Sequence, residues 1–128
     1  MDKSDLSRMM IYSLARCALA WYYPPPMHYL LMYDVVDDYV ERRTPYRREH
    51  ISLAREAVAR GDLVLGGALA QPADGVVLLF RGSSPAAAEA FAKSDPYVRA
   101  GIVVRWRVRE WTTVVGKEAE NPLPQNLS

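Results

Sequence analysis

The chain has 128 residues, half of them hydrophobic and 24% charged, with a formal net charge of +1. That is the size of one globular domain, and so small a net charge excludes a global electrostatic pull toward nucleic acid or an anionic membrane. A single cysteine, Cys17, excludes an intrachain disulfide and a cysteine-rich metal site, and two histidines exclude a His-rich metal centre.

Residues 1–26 differ in character from the rest of the chain. Met9 to Tyr23 is largely apolar, but Arg16 interrupts it, and it is shorter than the roughly 20 residues of a membrane span. Asp2 and Asp5 spoil the basic start of a signal peptide. Pro24, Pro25 and Pro26 form a stiff break, and Met27 comes directly after them. The segment reads as an extension of three alternative kinds: a mis-started stretch, an accessory helix, or a targeting segment for an organelle. Without such targeting the setting is reducing and cytoplasmic.

His28 to Asp34 is a short apolar and aromatic run, the pattern of a strand buried on both faces. Val35 to Arg43 is charged and irregular, a loop or opening turn. Thr44-Pro45 starts a helix, with Thr as N-cap and Pro at the first position; Gly61 ends it. At 100° per residue Tyr46, His50, Leu53, Ala54, Ala57 and Val58 share one stripe, with Arg48 and Arg55 opposite. Asp62 to Ala70 reads as a strand interrupted by Gly66-Gly67, and Val76 to Arg81 as its hairpin partner across a turn. Ser84-Pro85 opens a second helix, Ala86 to Lys93, with Ala87, Ala90 and Phe91 on one side. Asp95 to Gly101 is a short turn. Ile102 to Val115 alternates as a long final strand, with Ile102, Val104, Trp106 and Val108 on one face and Val103, Arg105, Arg107, Arg109 and Trp111 on the other. The domain therefore spans 27–116, and residues 117–128 form a polar tail expected to be disordered.

The order β-α-β-β-α-β predicts an α+β, ferredoxin-like fold: a four-stranded antiparallel sheet with two helices on one face. The other face, showing Tyr29, Leu31 and Tyr33 or their neighbours, then needs a cover. A homodimer through this open sheet face is the expected partner arrangement.

His50 lies on the apolar face of its helix. Histidine ordinarily titrates near neutrality, so it suits acid–base work. Tyr33 and Tyr97 are candidates to line a pocket and donate a hydrogen bond, or are ordinary amphipathic packing. Arg43 and Arg47 are candidates for binding a carboxylate, each equally a solvated charge at the helix entry. Gly66 leaves room for a ligand or marks a bulge. Arg105, Arg107 and Arg109 suit pairing with a partner subunit's acids better than nucleic acid. His28 reads as structural. No phosphate loop, dinucleotide fingerprint or nucleophile elbow is present, so no cofactor and no metal are expected.

Four stretches together resemble a known family: His28-Tyr29-Leu30-Leu31-Met32-Tyr33-Asp34, Arg42-Arg43 with Arg47-Arg48-Glu49-His50, Gly61-Asp62-Leu63-Val64-Leu65-Gly66-Gly67, and above all Asp95-Pro96-Tyr97-Val98 with Ala100-Gly101. Met27 to Gly116 is similar to the YciI-like (YCII-related) domain, a dimeric α+β barrel. The resemblance implies a His–Asp catalytic pair at His50 and Asp95. On that reading Asp95 orients the imidazole and His50 moves the proton. The bland alternative is a buried histidine with a structural partner and Asp95 as a helix N-cap. The expected activity is a small cofactor-independent enzyme of isomerase, lyase or elimination type acting on a small, carboxylated organic molecule. A non-catalytic ligand-binding dimer is the rival, and a purely structural dimerisation domain the third reading.

Overall fold

The computed structural model describes residues 25–126. The expectations for residues 1–24 fall outside it. In chain order the elements are β1 (Met27–Val35), the single-turn helix α1 (Tyr39–Arg42), a 3-10 turn (Thr44–Tyr46), α2 (Arg47–Ala59), β2 (Leu63–Ala68), β3 (Gly75–Gly82), α3 (Ala86–Ser94), the short α4 (Pro96–Arg99) and β4 (Val103–Trp111). The antiparallel sheet has the order β2-β3-β1-β4. This is the ferredoxin-like α+β fold. The central place of β1 explains its nearly continuous apolar sequence, since both faces of an inner strand are covered or half-covered.

The helix-side core is built by register. Leu31 lies across from Leu78 and Val108, and Tyr33 across from Val76 and Trp106. Ala57 of α2 and Phe91 and Ala92 of α3 close over them. Tyr29, Leu31 and Tyr33 are thus core residues. Their neighbours His28, Leu30 and Met32 supply the open face, where Leu30, Leu65, Val77, Leu79 and Trp111 line an apolar groove.

Several local expectations give way to packing. The loop before α2 contains the turn α1, which buries Tyr39. Thr44 makes no cap bond to a helical amide, and the α-helix starts three residues later at Arg47. Tyr46 and Val58, placed on the buried stripe by periodicity, are 38% and 52% exposed, because only His50 and Ala57 of α2 are covered completely enough to count as core. In α3 the buried residues are Ala88, Phe91 and Ala92, not Ala90. In β4 the register slips between Asp34 and Val35, so Val104 is an extra residue, 65% exposed, while Val103 turns inward. The bulge breaks the alternation before Arg105; beyond it the expected faces hold.

The C-terminal segment beyond Trp111 is tied down rather than loose as far as Leu123. Thr113 Oγ1 lies 2.7 Å from His28 Nδ1 and accepts from the Glu120 amide, and the Asn121 and Leu123 amides donate to the carbonyls of Thr113 and Val114. The Glu120 carboxylate accepts from Arg81 Nε. These polar residues satisfy one another against the end of β1.

Candidate active site

Two helix ends assemble the site. The α2 helix closes with Gly61 at φ +83°, its amide donating to Val58 O and the Asp62 amide to Ala57 O. The α4 turn closes in the same way at Gly101, φ +75°, with the Gly101 amide donating to Val98 O and the Ile102 amide to Tyr97 O. Both are paired Schellman bonds around a left-handed glycine. At the start of α4, Asp95 Oδ1 accepts from the Tyr97 amide at 3.0 Å, and Pro96 occupies the first helical position. Cap, proline, tyrosine and glycine thus account physically for the Asp-Pro-Tyr-Val-x-Ala-Gly spacing.

Asp95 is fully buried and four hydrogen-bond contacts converge on its carboxylate. His50 Nδ1 lies 2.9 Å from both oxygens, the Tyr33 hydroxyl donates to Oδ2 at 2.8 Å, and the Tyr97 amide holds Oδ1. Asp95 therefore caps α4 and is hydrogen-bonded to His50 with the same carboxylate. The imidazole is stacked on the Tyr97 ring, centroids 3.9 Å apart and 9° from parallel, with Phe91 edge-on at 6.2 Å. Among the described residues nothing hydrogen-bonds His50 Nε2, and no buried side-chain nitrogen or oxygen lacks a partner. Nε2 is thus the open end of the ring.

It opens onto a cleft of about 390 Å³ between α2 and the edge strand β2. Tyr39, His50 and Tyr97 form its aromatic end, and Arg43, Arg47 and Arg55 its cationic rim. Gly66, Gly67 and Ala68 form the far wall. A Cβ on Gly67 would meet nothing within 4 Å, whereas one on Gly66 would press on Leu78 at 3.2 Å. The Arg43 guanidinium sits over the Tyr39 ring, 5.0 Å from its centroid.

Of the expected site residues, His50, Arg43, Arg47, Gly66 and Tyr97 line this cleft, and Asp95 lies behind it. Tyr33 is not a wall: it is buried below Asp95. Burial first, and then the Asp95 charge, push its hydroxyl far above the usual tyrosine range. Tyr97 is pushed up to about 12 by burial first and next by Tyr39, with Arg43 and Arg47 pulling the other way. Two cleft residues escape the sequence reading. Tyr39 is hidden in the charged stretch before α2, where a lone aromatic is the available signal. Arg55 falls on the solvent side of the helical wheel, yet Arg47, Ile51, Ala54, Arg55 and Val58 form a second stripe facing β2. Among the described residues no three His, Cys, Asp or Glu side chains gather as a metal site, and no helix is long and apolar enough to cross a membrane.

The model of the YCII-related domain matches residues 27–112, from the first strand to the end of the last. The chain belongs to the YCII-related family. The matched span of this YCII-related domain contains the whole cleft and both members of the His50–Asp95 pair. Among solved structures, it is similar to 5-chloro-2-hydroxyhydroquinone dehydrochlorinase from Burkholderia phenoliruptrix, whose structure is a complex with 2,5-dihydroxybenzoquinone. Identity is 19%, the match covers 73% of this chain and 99% of that one, and the TM-score is 0.59. An antibiotic biosynthesis monooxygenase structure from Bacteroides thetaiotaomicron matches at 14% identity over 72% of this chain and 92% of the other, with a TM-score of 0.47. The first of these likenesses shows the α+β fold alone. No curated protein matches.

Proposed function

We propose that this YCII-related domain is a small enzyme that uses His50 and Asp95 to move a proton on a small organic acid, in isomerase, lyase or elimination chemistry, with no cofactor. The observation that carries this reading is the buried carboxylate behind His50 together with an unbonded Nε2 at an arginine-rimmed cleft. Asp95 accepts the Nδ1 proton, which leaves the Nε2 lone pair free to take a proton from a carbon acid. As the imidazolium forms, the buried carboxylate beside it stabilises the charge. Arg43 and Arg47 hold a substrate carboxylate and offset the negative charge that develops on it. Return of the proton to a neighbouring carbon gives isomerisation; departure of a leaving group gives elimination. A chain of this fold being named a dehydrochlorinase supports small-molecule chemistry of the second kind.

The test is to incubate the protein with small unsaturated carboxylic acids in D₂O and follow the substrate protons by NMR. Exchange or turnover falling about 10²-fold or more in His50→Ala is the expected result, the usual contribution of a general base. Wild-type protein that binds an acid and neither exchanges nor converts it would favour a ligand-binding module using the same cleft.

The open sheet face carries Leu65 at 64% and Trp111 at 47% exposure around an apolar groove, and we propose that a second copy of the chain covers it. On this reading the domain is a homodimer.

A further inference from the structure

We propose that the cleft is built for a small dianion, a molecule with two carboxylates flanking the carbon that reacts at His50. This rests on the acid–base reading above and narrows its substrate class. The cationic rim is not one cluster. Arg43 and Arg47 stand before His50, and Arg55 lies beyond it on the same helix as Arg47. Eight residues separate Arg47 from Arg55, about 12 Å along the axis at 1.5 Å per residue. His50 falls between them.

Among the described residues no aspartate or glutamate lines the cleft, and none of Arg43, Arg47 and Arg55 has a carboxylate within 4.0 Å. By contrast Arg60, Arg81, Arg99 and Arg107 each do, with Asp62, Glu120, Glu49 and Asp34 respectively. Arg42, Arg48, Arg105 and Arg109 have no such partner either among the described residues, so what sets the rim apart is its place on a cleft without acids, which leaves its charge open to a ligand. Two guanidinium groups rooted about 12 Å apart on one helix, each taking one carboxylate, suit acid groups on the order of 6 Å apart. That is about the reach of an extended diacid of six carbons, whose middle would lie nearest Nε2. The small wall of Gly66, Gly67 and Ala68 lets such a molecule lie flat along the helix rather than end-on.

The experiment is calorimetric titration of the full chain with a straight-chain diacid series, succinate, adipate and suberate, against hexanoate as the one-acid control. Arg55→Gln is run beside the wild type; Arg55 is on the surface, and a thermal melt of the variant checks its fold. Adipate should bind at least about tenfold more tightly than hexanoate, and Arg55→Gln should remove most of that preference, since one charge-assisted contact is lost. Hexanoate binding as tightly as adipate, or an unchanged preference in Arg55→Gln, would overturn the dianion while leaving an organic-acid enzyme standing. Failure of every acid to bind at millimolar concentration would overturn both.

Discussion

The imidazole of His50 and the phenol ring of Tyr97 lie face to face, 3.9 Å between centroids and 9° from parallel. One carboxylate creates this pair. Asp95 holds the Tyr97 amide through Oδ1 and His50 Nδ1 through both oxygens, so the turn that presents the phenol and the helix that presents the imidazole are locked to the same buried group. The ring thus has its plane set by stacking and its Nδ1 edge held by Asp95.

Asp95→Asn should disturb the imidazole tautomer. An amide presents only one acceptor oxygen where the carboxylate presents two, so either the imidazole or the Tyr33 hydroxyl and Tyr97 amide must give up part of their bonding. The ¹⁵N shifts of His50 should report a Nδ1–H ring in the wild type and a mixture in the variant. Stability should fall by about 1–3 kcal/mol from imperfectly satisfied buried groups. Identical ¹⁵N spectra would mean that Asp95 does not fix the ring.

Tyr33→Phe should weaken the same carboxylate from below. Loss of the hydroxyl that donates to Oδ2 should cost about 1–2 kcal/mol in urea unfolding at neutral pH. The alkaline limb is the sharper readout. A phenol pKa raised in the folded state means the native protein holds the proton more tightly than the unfolded chain. That contribution is complete below about pH 10, the ordinary tyrosine value, and is lost as pH rises above it. Tyr33→Phe should therefore lose less stability above about pH 10 than the wild type, and an equal slope would count against a buried, protonated Tyr33.

Gly101→Ala should destabilise without a steric cause. Its φ is +75°, and an added Cβ would meet nothing within 4 Å, so the penalty is the left-handed backbone alone, about 1 kcal/mol. Because Gly101 closes the turn carrying Tyr97, backbone amide shifts should move at Tyr97 and Ile102. An unchanged melting curve would show that the turn opens at no cost.

Thr113→Val should free the C-terminal segment. The hydroxyl lies 2.7 Å from His28 Nδ1 and accepts from the Glu120 amide, so its removal leaves one buried and one part-buried group short of a partner. Hydrogen exchange at Asn121 and Leu123 should accelerate. Unchanged protection there would mean that the backbone bonds to Thr113 and Val114 and the Arg81–Glu120 pair anchor the segment without the hydroxyl.

Leu65→Glu tests the dimer. Sedimentation should give a dimer for the wild type at micromolar concentration and a monomer for the variant, since a charge on the apolar groove is costly to bury. A monomeric wild type would sink the proposed assembly.

Period and punctuation in the sequence were enough for the βαββαβ order, because strand alternation, prolines at helix starts and glycine stops are local signals, even where, as at Thr44, the expected cap bond does not form. The Asp-Pro-Tyr-Val-x-Ala-Gly stretch was legible for the same reason: each residue satisfies a bond within one turn. His50 was legible as an inward-facing residue from the helical wheel, and its pairing with Asp95 came from the family resemblance. Tyr33 was legible as a tyrosine near the site but not as the support of Asp95, since only the crossing of β1 beneath α4 brings residues 62 apart in sequence into contact. Arg55 was not legible as a cleft residue because a wheel knows one buried face, whereas α2 borders both the core and the cleft along β2. The bulge at Val104 and the anchored tail were invisible for a related reason. Each depends on what a distant strand offers in register, and that is decided only when the sheet closes.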